Sequence, residues 1–134
     1  MKTNYFLKSM LAIAIITFSA CSKSNNALDA FQPEISNITD NFQLQATAVK
    51  NVTTTLYYDW NNTGVKANID KSGAISSGTA VLTIYDAGNT QVYTSDLKIK
   101  GSEQSQAGVA GKWKIKVVLN NTNGDLNFRV QKGG

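Results

Sequence analysis

From residue 42 to the carboxyl terminus, apolar and polar residues alternate with a period of two. In the clearest run, lysines alternate with four apolar residues: Trp113, Ile115, Val117 and Leu119. Because successive side chains of a β-strand point to opposite faces, this spacing predicts strands with one buried face. The same alternation predicts further strands within the following segments: 42–48, 52–60, 65–69, 80–85, 92–99 and 126–130.

Clusters of glycine, asparagine and small polar residues separate these runs, at 61–64, 71–73, 76–78, 86–89 and 120–124. Glycine and asparagine tolerate a positive φ and therefore suit hairpin turns. Seven or eight short strands separated in this way predict an all-β fold, an antiparallel β-sandwich. A helical alternative has little support, because no segment after the first 20 residues keeps apolar residues at i, i+3 and i+4.

The turn at Asp86 also constrains how its two flanking strands pair. A loop with an odd number of residues places Ile84 opposite Val92, so that apolar residues share a face, whereas an even loop mixes the faces. The sequence therefore predicts the odd loop, with Gly88 or Asn89 at positive φ.

The amino terminus has a different pattern. Lys2 and Lys8 precede an apolar run over residues 10–18, which is followed by small and polar residues. A membrane-spanning helix needs about 20 apolar residues, so this run is too short to cross a bilayer. A positive start followed by a short apolar segment predicts a secretory signal peptide.

The signal peptide ends in Phe18-Ser19-Ala20-Cys21, which resembles the lipobox of bacterial lipoproteins. In that family the cysteine thiol receives a diacylglycerol, the chain is cut just before it, and the new amine is acylated, for example with palmitate. The family prefers leucine where this chain has Phe18. The resemblance implies a lipid anchor at Cys21 in a bacterial cell envelope. Ser22 stands where an aspartate favours the inner membrane, which implies the outer membrane and leaves surface exposure open.

These features divide the chain into three parts. Residues 1–20 are the predicted signal peptide, residues 21–32 the lipidated cysteine and a flexible tether, and residues 33–134 the β-sandwich domain, with Pro33 at its entry. The domain from Gly78 onwards resembles small bacterial β-sandwich modules, found as Ig-like domains or as carboxy-terminal domains of secreted peptidases. The residues that carry this resemblance are Thr79–Gly88 and Ala110–Ile115, and it bears on the fold, not on activity.

Composition excludes several kinds of chemistry. The chain has no histidine, and its single cysteine is Cys21, which excludes Ser-His and Cys-His nucleophiles, structural disulfides and Cys/His zinc sites. No phosphate-binding loop or nucleic-acid motif is present. An oxygen-ligated calcium site at Asp86 and Asn89 is an alternative, although the spacing fits no EF-hand. We therefore expect a protein that is not an enzyme and has no cofactor, no metal and no nucleic-acid partner.

Lysines form the first candidate binding feature. The full chain carries 13 Lys+Arg against 9 Asp+Glu, and loss of Lys2 and Lys8 with the signal peptide leaves 11 − 9 = +2. Lys112, Lys114 and Lys116 are expected on one strand face, about 7 Å apart. If Lys98 and Lys100 belong to the same sheet, five ammonium groups share a surface suited to acidic polysaccharide, lipopolysaccharide phosphate or anionic lipid. The alternative is a solvated face that protects a strand edge.

Aromatic residues form the second candidate feature. Tyr57 and Trp60 lie beside Asp59 and the Asn61-Asn62 turn, a combination that can stack on sugar rings. The alternative is core packing of Trp60 and its neighbour Tyr58, because both share parity with Leu56.

The resulting hypothesis is a non-enzymatic, lipid-anchored envelope protein that acts by surface contact, binding polysaccharide or another envelope component. The alternative is an accessory subunit that pairs with a partner protein through a sheet edge.

Overall fold

The computed structural model describes residues 26–134, which form one 3₁₀ helix and seven antiparallel strands. The prediction of an all-β antiparallel fold is confirmed, and seven strands fall within the predicted number. The 3₁₀ helix spans Asp29–Phe31. The strands are β1 Glu34–Ile38, β2 Asn41–Asn62, β3 Ala67–Lys71, β4 Ala74–Tyr85, β5 Gln91–Asp96, β6 Gly101–Gln104 and β7 Gly111–Lys132.

Two strands are much longer than predicted. β2 and β7 have 22 residues each, and each joins two of the expected short strands into one. The rings of Phe42 and Tyr58 in β2 lie 5.1 Å apart. A straight strand separates residues at this spacing by roughly 50 Å. β2 therefore doubles back on itself, and the two halves of one sheet face each other as two layers.

The bend lies where register shifts in three strands, β2, β4 and β7, are aligned; we call this line across the sheet the crease. The β2–β7 register shifts between Ala46 and Thr54, and the β4–β7 register shifts between Ile75 and Thr79. β-bulges bend a strand and increase its twist. Because the irregularities fall on three neighbouring strands, the whole sheet turns at the same level.

Side chains bind the backbone groups that the crease releases. Asp125 Oδ1 accepts a hydrogen bond from the Ala48 N–H at 2.8 Å, and the Thr122 hydroxyl donates to the Thr79 carbonyl at 2.6 Å. Thr122 itself is fully buried. These hydrogen bonds give partners to backbone groups that the register shifts displace from regular strand pairing.

The core lies between the two layers. The first layer contains β1, residues 41–46 of β2, residues 126–132 of β7, β3 and β6. The second contains residues 54–62 of β2, residues 111–119 of β7, residues 79–85 of β4, and β5. Large side chains that are fully buried between them include Phe42, Leu44, Trp60, Ile69, Leu82, Ile84, Trp113, Ile115, Leu126 and Phe128.

The folded region extends further towards the amino terminus than the predicted boundary at residue 33. Leu28 is fully buried in the core, and Phe31 packs against it. Asn26 Oδ1 accepts a hydrogen bond from the Leu28 N–H at 2.9 Å, which fixes the start of the 3₁₀ helix. The segment 26–32, expected as tether, is therefore part of the body, because Leu28 fills space between the layers.

The β4–β5 hairpin has the predicted odd loop, with five residues between Tyr85 and Gln91, but its register shifts by one residue beyond that pair. Ile84 pairs with Tyr93 rather than Val92, while Tyr85 pairs with Gln91. Val92 is therefore the extra residue of a bulge, which leaves its side chain buried together with that of Ile84. The prediction of a positive φ in this turn is confirmed at Asn89, where φ is 61°.

Candidate functional site

Lys112, Lys114 and Lys116 lie on the outer face of the second layer, as their alternation predicted. They occupy β7 between Trp113, Ile115 and Val117, which are buried on the opposite face. Lys112 and Lys114 are exposed, and Lys116 is half-buried. The β7 backbone therefore presents three ammonium groups in a line directed at solvent.

Lys98 and Lys100 do not extend this line along a strand. β5 ends at Asp96, and both lysines lie in the turn that follows. The Lys98 N–H donates to Asp96 Oδ1 at 2.9 Å, which bends the chain away from the strand direction. The predicted continuation of a strand through residue 99 is wrong, and Ile99 is 59% exposed.

Of the two aromatic candidates, Trp60 belongs to the core. It is 1% exposed, and its indole N–H donates to the Ile38 carbonyl at 3.2 Å. Its ring also packs edge-to-face on Trp113, with centroids 6.0 Å apart. Trp60 is therefore unavailable for stacking on a sugar, and core packing is the interpretation that its burial supports.

Tyr57 has the opposite orientation. It is 58% exposed and pairs with Lys116 across β2 and β7. The Lys116 ammonium lies 5.8 Å from the centroid of the Tyr57 ring, a cation–π distance. The structure thus brings Tyr57 together with the lysine line and separates it from Trp60.

Three further side chains complete this surface. Asp59 pairs with Lys114, and Asn61 pairs with Lys112, both from β2. On the other side of the line, Tyr85 of β4 pairs with Lys114. We call the resulting surface the lysine face; it consists of Tyr57, Asp59, Asn61, Tyr85, Lys112, Lys114 and Lys116.

The two tyrosines flank the line on opposite sides. Tyr57 lies beside Lys116, and Tyr85 lies beside Lys114 one step further along. Sequence reasoning placed Tyr57 among possible glycan-binding residues but missed Tyr85. Only the pairing of β4 with β7, which joins segments about 30 residues apart along the chain, shows that Tyr85 belongs here.

The charges on the lysine face are not neutralised by close ion pairs. Among residues 26–134 the ion pairs within 4.0 Å are Lys71–Glu103 and Asp70–Arg129, and both lie elsewhere. Asp59 and Lys114 are opposite each other but outside that distance. Their charged groups therefore remain able to bind another molecule.

A second polar cluster was not predicted. The Lys71 ammonium, with a side chain only 1% exposed, donates to Ser95 Oγ at 2.6 Å and to Glu103 Oε2 at 3.0 Å. The Tyr93 hydroxyl donates to the same glutamate oxygen. This cluster links β3, β5 and β6 beneath a groove between β5 and β6. The available signal was the alternation Ala67, Ile69, Lys71, which places the lysine on the inner face.

Hydrogen bonding sets the protonation of this cluster. Burial alone lowers the pKa of Lys71, but the neighbouring Glu103 carboxylate and Tyr93 hydroxyl outweigh burial and raise it above the usual value. Hydrogen bonds from Tyr93 and then Lys71 lower the pKa of Glu103. Both groups are therefore charged at neutral pH, and the cluster acts as a polar contact that closes one side of the two layers.

The carboxylate of Asp86, the residue considered above as a calcium ligand, is hydrogen-bonded to backbone N–H groups. Its two carboxylate oxygens accept hydrogen bonds from the N–H groups of Thr90 and Val109, each at 2.8 Å. Donation from Thr90 and then Val109 lowers the pKa of Asp86. The residue therefore ties the β4–β5 turn to the loop that precedes β7.

Within the described part of the chain, no group of three or more acidic, histidine or cysteine side chains is placed to hold a metal ion. The same residues contain no helix with the length and apolarity to cross a membrane. Cys21 and the predicted signal peptide lie outside the described residues. Neither a protein-family model nor a curated protein matches this chain.

Proposed function

We propose that this protein is a non-enzymatic, lipid-anchored protein of a bacterial envelope, most simply of the outer membrane, that binds acidic polysaccharide through the lysine face. The observation that supports it is the line of Lys112, Lys114 and Lys116 on an outer strand face, flanked by the exposed ring of Tyr57. Lysines attract anionic groups, and tyrosine rings stack on the apolar faces of sugars.

The anchor in this proposal is the lipid on Cys21. Acyl chains contribute about 0.8 kcal/mol per buried CH₂ group, so several chains hold a small domain on a membrane for long periods. Asn26, which already contacts the fold through the Leu28 N–H, is five residues after Cys21 in the sequence. At about 3.5 Å per residue, Asn26 lies at most roughly 18 Å from Cys21. An anchored body is thus held close to the bilayer surface.

A charge-reversal pair tests the binding role. K112E/K114E changes two lysines on the lysine face, and K98E/K100E makes the same change in charge in the turn after β5. At about 1 kcal/mol per lysine, we expect K112E/K114E to weaken binding to hyaluronate at least roughly 30-fold, measured by affinity electrophoresis. K98E/K100E should retain most of the affinity. Equal losses in both variants would show that net charge, not the lysine face, governs binding.

A second candidate function is pairing with a partner protein through β1. Within residues 26–134 this strand pairs only with β2, and all five of its residues are exposed, including Ile35 and Ile38. A strand with one unpaired edge is able to accept another strand. This candidate predicts a stoichiometric partner that co-purifies with wild type and K112E/K114E but not with I35N/I38N. Loss of the partner in K112E/K114E alone would argue against it.

A further inference from the structure

We infer that the lysine face selects a hydroxyl-rich polymer with widely spaced anionic groups over densely charged polyanions, and that Asp59 makes the selection. This inference rests on the proposed function. Asp59 carries the only carboxylate of the lysine face as defined above, and it lies directly opposite the central lysine, Lys114.

The position of Asp59 excludes a simple polyanion site. A ligand with anionic groups at every step along β7 places one of them near Lys114, and therefore also near the Asp59 carboxylate. The Asp59 carboxylate and such an anionic group repel each other. A densely charged ligand meets this repulsion at every register along the strand. A ligand whose anionic groups are further apart is able to place them at Lys112 and Lys116 and leave Asp59 opposite an uncharged segment.

Asp59 is also able to form hydrogen bonds with that uncharged segment. An ionised carboxylate accepts hydrogen bonds, and the hydroxyls of a sugar donate them. Asn61 follows on the same face of β2, opposite Lys112, and is able both to donate and to accept. Together these side chains form a polar rim for hydroxyl groups along one side of the lysine line.

The tyrosines fit the same ligand class. Tyr57 and Tyr85 stand on opposite sides of the lysine line, each beside a cation. Sugar rings have apolar C–H faces that pack on aromatic rings, whereas a chain of phosphates has none. Cations, hydroxyl acceptors and aromatic rings therefore coincide on one surface, and an acidic polysaccharide with one carboxylate per disaccharide satisfies all of them.

The test compares Asp59→Asn with a matched control, Glu34→Gln, which removes an exposed carboxylate from β1, outside the lysine face. The probes are hyaluronate, with one carboxylate per disaccharide, heparin, which is densely sulfated, and vesicles containing phosphatidylglycerol. We expect D59N to raise affinity for heparin and the vesicles roughly threefold to tenfold. We expect it to lower affinity for hyaluronate by a similar factor, while E34Q changes each affinity less than about twofold.

The outcomes separate this inference from the proposed function. If wild type binds hyaluronate through Lys112 and Lys114 but D59N raises affinity for all three probes in parallel, Asp59 only reduces net charge and the selection is overturned. If vesicles bind wild type more tightly than either polymer, the lysine face is a lipid-docking surface and both claims are overturned. Binding of none of the three also overturns both.

Discussion

At the residue scale, Lys71 is the most unusual side chain of the fold. Its ammonium is buried, yet its ion-pair partner Glu103 is about half exposed. Removing Glu103 therefore has a different consequence from removing Lys71. A buried cation without its counter-charge pays a desolvation cost, whereas an apolar replacement of similar shape is tolerated and an exposed carboxylate is solvated by water.

This asymmetry predicts that Glu103→Gln destabilises the protein more than Lys71→Met. K71M is expected to change the free energy of unfolding by less than about 1 kcal/mol. E103Q removes the counter-charge of the buried ammonium and should lower the free energy of unfolding more than K71M does. Urea denaturation followed by tryptophan fluorescence measures both, and a larger loss in K71M would contradict this account.

The pH dependence provides an independent check of the same pair. Because the pKa of Glu103 is lowered in the folded state, its contribution to stability is present above the unfolded value of about 4.3 and is lost as the pH falls through the folded value. The difference in the free energy of unfolding between wild type and E103Q should therefore be largest near pH 7 and become smaller in acid.

At the scale of elements, the crease decides the architecture. Gly78 in β4 has a φ of 75°, and a Cβ atom there would lie 2.0 Å from the Asn121 carbonyl oxygen in β7. The two backbones approach too closely for any side chain at this position. The close approach of β4 and β7 at the crease therefore requires a glycine at this position.

Gly78→Ala is accordingly expected to destabilise the protein by at least about 2 kcal/mol. Gly101→Ala is the matched control, because Gly101 also has a positive φ, 140°, but a Cβ there meets nothing within 4 Å. Thermal unfolding of the two variants isolates the effect of the close approach. Equal shifts in melting temperature would show that backbone strain alone, and not the crossing, accounts for the loss.

At the crease, the alternation in the sequence no longer predicts which residues are buried. Alternation correctly predicted that Phe42 and Leu44 face the core, but extending it predicted that Ala48 is buried. Ala48 is exposed and Val49 is buried instead, because Ala48 adopts a φ of 52° and the bulge reverses the parity. No glycine in β2 signals this bend, so the pattern predicted two short strands where one long strand folds over.

At the scale of the whole molecule, the fold combines distant segments into the lysine face. The alternation of Lys112, Lys114 and Lys116 was visible in the sequence, and so was the opposite parity of Tyr57 and Trp60. The placement of Tyr57 and Tyr85 beside this line was not visible, because strand order depends on pairing between β2, β7 and β4. Local periodicity determines which face a side chain occupies, and topology determines its neighbours on that face.

The most direct test of the proposed binding role is an NMR titration of the isotope-labelled mature chain with hyaluronate. We expect the largest amide shifts at residues 57–61 of β2 and 112–116 of β7, and little change at Lys98 or in β1. Shifts concentrated in β1 or along the groove between β5 and β6, or an unchanged spectrum, would contradict the assignment of the lysine face as the binding surface.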